Sequence, residues 1–332
     1  MTGFRVDSWE PAYGSSADDL TESQAEVVPD VEIPPQRWAP VDPGPAPPPS
    51  VVLFADGVRR LDARVWFDPA GAGVPEPGVC ASLAAGVVCS CPQGAHPAAV
   101  QMQRVVAATR PDLDDVTTMV GTYVAQPVTR PAGAEPSSLV MQRVQSCLVG
   151  LETRTIREAR RPGSGCHAGS DDLLVVDGPL RVHADLPRAV GLIKAHHAVY
   201  LPQQLNLVVA RLAPGQRTAI FGLGTRWRRY SWYLRLPGQA TGWWAGVVRL
   251  EASEHLDLAA VRRLADQTAR ILPRYASADY KDARAPQNLY PVAGLERHLR
   301  RRLADPALVQ RALRTAGTRP SRAPLPETTG NP

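Results

Sequence analysis

Two aspartates stand at the end of an apolar run and before a glycine, Asp56 in VVLFADG and Asp177 in LLVVDG. A carboxylate at the end of a buried strand is held rigidly and faces an open sheet edge, which is what a divalent cation requires. Asp-Gly is also a common turn, so either pair alone fits a strand end without chemistry. A carboxylate-bearing helical segment separates the two and strengthens the pattern. On it, Glu158 lies 19 residues before Asp177 in RTIREARR, among Arg154, Arg157, Arg160 and Arg161. Pairing with those arginines three or four positions away accounts for Glu158 equally well. Glu152, six residues earlier, competes for the inward-facing role. His298 in GLERHLRRRL suits metal ligation or proton transfer if other groups converge on it, and a surface position otherwise. Lys194, one of two lysines, fits either a phosphate contact or a charged strand end.

Several elements must position these groups. VVLFADG reads as a buried strand stopped by a turn, with RRLDARVWF (59–67) as its hairpin partner. Val79–Cys91 is a candidate third strand, and residues 92–136 are mixed, with PDLDDVTTMVGTYVAQPVTRPAGAEP suggesting a short helix and a loop. Residues 137–161 keep a helical apolar stripe through Leu139, Val140, Val144, Leu148, Leu151 and Ile156. DDLLVVDGPL is the next strand, followed by strand-like runs at GLIKAHHAVYL, RTAIFGLG, RYSWYLRL and GWWAGVVRL. Helices over 256–272 and 294–303 close the pattern. Strands, a helix, more strands and then helices imply an α/β protein built on a mixed central sheet flanked by helices.

The 332 residues contain 44% hydrophobic side chains and a net charge of +5, which excludes a disordered polyampholyte. Residues 1–50 hold nine acids and two bases, so the remainder is strongly basic. A basic body with an acidic head fits a polyanion-binding protein, and arginine-rich codon usage fits the same numbers. Nine prolines between 29 and 49 imply an extended linker. The expected organisation is an acidic, Pro-rich extension (1–50), one folded domain (51–314) and a loose tail (315–332). The longest apolar stretch is too short for a bilayer, and the N-terminus lacks an apolar secretory core, so a cytoplasmic protein is expected. Five cysteines at irregular spacing make no disulfide framework. Cys89, Cys91, Cys166 and His167 lack a recognised zinc spacing. GLGT and PGSG lack the Lys-Ser/Thr of a nucleotide loop, so no ATPase is expected in this chain. RWRRYSWYLR fits either a strand with aromatics inside or a base-stacking, backbone-neutralising surface.

Between about 51 and 305 the chain resembles the NurA family of DNA-repair nucleases. The resemblance rests on FADGVRR, IREAR, LLVVDGPL, GLIKAHHAVYL and YPVAGLERH. It implies a ribonuclease H-like core and a manganese site of Asp56, Glu158, Asp177 and His298, with Mg²⁺ as the alternative ion. Arg59, Arg60 and Lys194 become expected DNA contacts. Val58 stands where the family usually carries Ser. The implied activity is 5′-3′ exonuclease and single-strand endonuclease cleavage in double-strand break repair, by a nucleoid-associated homodimer working with a HerA-like hexameric ATPase. A catalytically silent DNA- or HerA-binding scaffold is the alternative. Two divalent ions held by carboxylates can neutralise the charge that builds on a phosphodiester while making water nucleophilic. Hard oxygen ligands joined by one imidazole favour Mn²⁺ or Mg²⁺.

Overall fold

The computed structural model describes residues 21–22, 25–45, 47–68, 75–163, 171–180, 183–196, 198–224, 227–238, 242 and 244–317. The chain forms two compact units. The first comprises Met1–Gly57, Ala85–Gln101 and Glu152–Leu299; the second comprises Val58–Ala84, Met102–Leu151 and Arg300–Pro332.

In the first unit, β1 (Thr21–Glu22) pairs in parallel with β10 (Ala198–Val199). The main sheet runs β2 (Glu26–Val28), β11 (Phe221–Gly224), β12 (Arg228–Arg235), β13 (Val247–Ser253), β9 (Ala189–Ile193), β8 (Asp172–Asp177) and β3 (Val51–Phe67). β3, β8 and β9 are parallel neighbours, whereas β13, β12, β11 and β2 continue the sheet antiparallel. The sheet is therefore mixed. Alternation along β3 and β8 sends Val52, Phe54, Leu173 and Val175 to a core shared with α3 (Leu258–Ile271) and the start of α4 (Tyr290–Arg302). Val51, Leu53, Ala55, Leu174 and Val176 pack on the other face with Ile156 and Ala159 of α1 (Pro136–Ala159). Cover on both faces explains why these strands read as continuous apolar runs. Each fully buried Leu, Val or Phe contributes about 1.5–3 kcal/mol relative to exposure. Farther along the sheet, α2 (Gln203–Arg211) packs on Phe221 and Tyr233. Asp257 starts α3 by accepting a 2.7 Å bond from the Ala260 N–H.

The stretch expected as a linker has fixed partners within this unit. Trp38 is buried against Phe221, and Val41 bridges Arg217. Glu32 takes two bonds from Arg217, at 2.8 and 3.0 Å. Burial alone would raise the Glu32 carboxyl, but the Arg217 bonds outweigh it and hold it below its ordinary value. Proline removes backbone donors without preventing such side-chain docking.

The second unit contains the later half of β3 and parts of β4 (Glu76–Cys91) and β5 (Gly94–Ala108), with β7 (Gly121–Pro127) and β6 (Val116–Thr118). Its core joins Cys80, Val106, Ala108 and Tyr123 to Val309 and Leu313 of α5 (Pro306–Gly317). The Asp62 side chain is fully covered and accepts from Arg60 at 2.8 Å, from Tyr123 at 2.9 Å and from Ser82.

Two sequence expectations change here. Val51–Phe67 is one strand, without a turn at Asp56-Gly57. The helix expected within 111–136 is absent: Val116–Thr118 and Gly121–Pro127 form an antiparallel strand pair rich in β-branched residues, and a loop follows. Among the described residues, no helix is long and apolar enough to cross a membrane. Residues 318–332 of the expected tail lie outside the described residues.

Candidate metal centre

Asp56 and Asp177 meet because β3 and β8 run in parallel and in register. Ala55 pairs with Val176, which places Asp56 and Asp177 one step farther along adjacent strands. Both follow the side-chain phase of Phe54 and Val175, so both project from the face covered by α3 and α4. Burial pushes the Asp56 carboxyl well above its ordinary value of 3.8, and the charge of Asp177 adds to the shift. Lys194 and the Gly57 N–H, which donates to Asp56 Oδ1 at 2.7 Å, only partly counter it.

Asp177 and Lys194 form an ion pair of 2.7 Å, with the two side chains 17% and 11% exposed. Lys194 Nζ also donates to Asn288 Oδ1 at 2.9 Å, and Asn288 Nδ2 donates to Asp282 Oδ2 at 2.7 Å. Arg284 continues the network, donating its backbone N–H to Asp282 Oδ1 at 2.8 Å and its guanidinium to Glu296 at 2.7 Å. Glu296 in turn adds to the electrostatic pressure on Asp56. Lys194 thus pairs with Asp177, and Arg284 pairs with Asp282 and Glu296. Asp177 Oδ1 is buried without a hydrogen-bond partner among the described residues. An orphaned carboxylate oxygen beside a second, desolvated carboxylate fits a divalent cation.

Glu152 approaches the same strand from the α1 side. A Cβ at position 57 would lie 2.2 Å from Glu152 Oε1, so any side chain there would displace the Glu152 carboxylate. Glu152 Oε2 also lies 3.6 Å from Nε2 of the buried His183. Glu158 is placed elsewhere: it pairs with Arg161 at 2.6 Å and its side chain is 43% exposed. Six residues separate two positions by about 9 Å along a helix and by about 240° around it. One strand end cannot receive both glutamates, and the helix presents Glu152.

His298 is half-buried on α4, two residues beyond Glu296. Among the described residues, Asp56, Glu158, Asp177 and His298 provide no three ligand atoms that all lie within 4.8 Å of one another. Lys194 is a partner of Asp177 in this arrangement. Arg59 is exposed and donates to Gln145 at 2.8 Å. Arg60 is committed to Asp62 and to the Leu303 and Ala304 carbonyls at the end of α4. Sequence reasoning missed Asn288, Asp282 and Arg284; the signal within reach was APQNLYP, immediately before the Tyr-Pro motif.

A mixed α/β fold with two carboxylates side by side on adjacent parallel strands is the class defined by these observations. Among solved structures, the chain is similar to the crystal structure of the NurA nuclease from Sulfolobus solfataricus. The TM-score is 0.43 with 11% sequence identity over 84% of this chain and 88% of that one. No protein-family model matches the chain, and no curated protein does.

Proposed function

We propose that the chain is a metal-dependent DNA nuclease whose centre is built on Asp56 and Asp177. The orphaned Oδ1 of Asp177 beside the strained Asp56 carboxyl carries this reading. When bound, a divalent ion supplies Lewis-acid stabilisation of the phosphoryl charge and a water nucleophile usable near neutral pH. Asp56 and Asp177 hold the ion through hard oxygen donors, which suits Mn²⁺ or Mg²⁺. Lys194 fixes the rotamer of Asp177 through Oδ2 and leaves Oδ1 for the ion. Glu152, held against Gly57, orients water at the strand edge, and His298 is the candidate imidazole for ligation or proton transfer. The finer reading is 5′-3′ trimming and single-strand cutting by a homodimer that works with a HerA-like hexameric ATPase.

The test is cleavage of end-labelled single- and double-stranded DNA by the purified chain with Mn²⁺, Mg²⁺ or EDTA. Wild type is expected to cut with Mn²⁺ and to be silent in EDTA, with Asp177→Asn silent throughout. Cutting by Asp177→Asn at the wild-type rate in saturating Mn²⁺ would place the chemistry elsewhere.

A further inference from the structure

We propose that Cys89, Cys91 and His96 form a second cation site, separate from the carboxylates, that takes a thiolate-preferring divalent ion of the Zn²⁺ type. β4 ends at Cys91, β5 begins at Gly94, and only Pro92 and Gln93 join them. Two sheet neighbours joined so tightly form an antiparallel hairpin. Position 91 then faces 94, and 89 faces 96. Because side chains alternate, Cys89, Cys91 and His96 all project from one face of this hairpin. Their ligand atoms lie within 4.8 Å of one another, with Cys89 buried and Cys91 and His96 half-buried.

A tetrahedral ion with metal–sulfur bonds of about 2.3 Å and a metal–nitrogen bond of about 2.0 Å holds its ligands roughly 3.5–3.8 Å apart. Small side-chain rotations close that gap. A buried free cysteine packs as a small apolar side chain, which accounts for Cys89 beside Val87 in the core. It does not account for a second thiol and an imidazole brought to ligand distance on the same face. The Cys91 thiol already turns toward the bend, donating to Gln93 Oε1 at 2.8 Å. Binding transfers both thiol protons to solvent, and the three protein ligands leave the fourth position to water. Thiolate and imidazole donors prefer Zn²⁺ to Mn²⁺ or Mg²⁺, so the two centres do not compete for one metal. The sequence concealed the site because its third ligand is His96, across the hairpin, while Cys166 and His167 lie outside the described residues.

The experiment is a Co²⁺ titration of the full chain, reduced and stripped of metal, followed by absorption. Wild type is expected to bind one ion with thiolate charge-transfer and intense tetrahedral d–d bands, both erased by Zn²⁺. Asp177→Asn keeps these bands. Cys91→Ser and His96→Ala, checked for folding by circular dichroism, weaken binding by more than about tenfold. Absence of the thiolate band in wild type, or its persistence in both variants, overturns the site. Zinc-edge X-ray absorption of the Zn²⁺-loaded wild type needs no variant: sulfur ligands are expected, and an oxygen-only shell refutes the proposal.

Discussion

Two acidic centres in the first unit receive opposite treatment. Glu251 is fully buried on β13, and Arg229 and Arg249 donate to its Oε1 at 2.6 and 2.7 Å. The Leu180 N–H reaches Oε2 at 3.3 Å, and the two guanidinium groups lie over the rings of Trp227 and Tyr200. One carboxylate thus has two cations. On β3 and at the end of β8, by contrast, Asp56 and Asp177 have Lys194 between them, and one oxygen has no partner among the described residues. A carboxylate that the protein itself neutralises is structural. A desolvated pair that shares one lysine is what the proposed metal would complete.

Substitution of each centre sharpens the contrast. Asp177→Asn is expected to lower cleavage at least about 100-fold, since lost charge stabilisation amounts to several kcal/mol and each ~1.4 kcal/mol is tenfold in rate. Its metal-free urea stability stays at or above the wild-type value. Glu251→Gln inverts that result, losing about 3–5 kcal/mol of stability because two buried guanidinium groups lose their counter-charge. Equal urea midpoints for Glu251→Gln and wild type would erase the distinction.

Acidity tests the same difference. Because the Asp56 carboxyl is raised in the fold, the folded state binds more protons than the unfolded state above pH 3.8. The stability contributed by Asp56 in the absence of divalent ions is therefore fully present below that value and is lost as pH rises through the folded pKa. Asp56→Asn removes this slope, and Mn²⁺ reduces it by competing with the proton. Urea titrations at a series of pH values in EDTA decide it, and an unchanged slope in Asp56→Asn would assign the effect to another group.

The smallest effects separate the two glutamates of α1. Glu152→Gln is expected to reduce cleavage by about 10- to 100-fold, in the range of a lost water-orienting group. Glu158→Gln leaves cleavage unchanged and alters stability by less than about 0.5 kcal/mol, as expected of an exposed pair. Cleavage assays on both variants rank them, and the reverse order would move the site along the helix.

The strands and helices around the centre were legible because their periods are local. The apolar runs ending in Asp56 and Asp177 became β3 and β8, and the stripe ending near Ile156 became α1. RYSWYLRL was legible as a strand, with Trp232 and Tyr233 buried inside. Its arginines were not, since Arg229 and Arg235 are buried as well. The Pro-rich stretch was opaque for a related reason: composition reports backbone stiffness, whereas Trp38 and Glu32 find partners almost 200 residues away, at Phe221 and Arg217.

By itself the sequence determined that two Asp-Gly pairs end apolar runs and that a carboxylate-bearing helix lies between them. The tertiary structure decided what each glycine is for. Gly178 has φ 94, a backbone that ends β8 and that side-chain-bearing residues rarely adopt. Gly57 lies within a continuous strand, and Glu152 rests against it where a side chain would stand. Identical dipeptides give identical local signals. Only packing across 95 residues of chain separates a turn from a close approach, and it selects Glu152 over Glu158 for the strand edge.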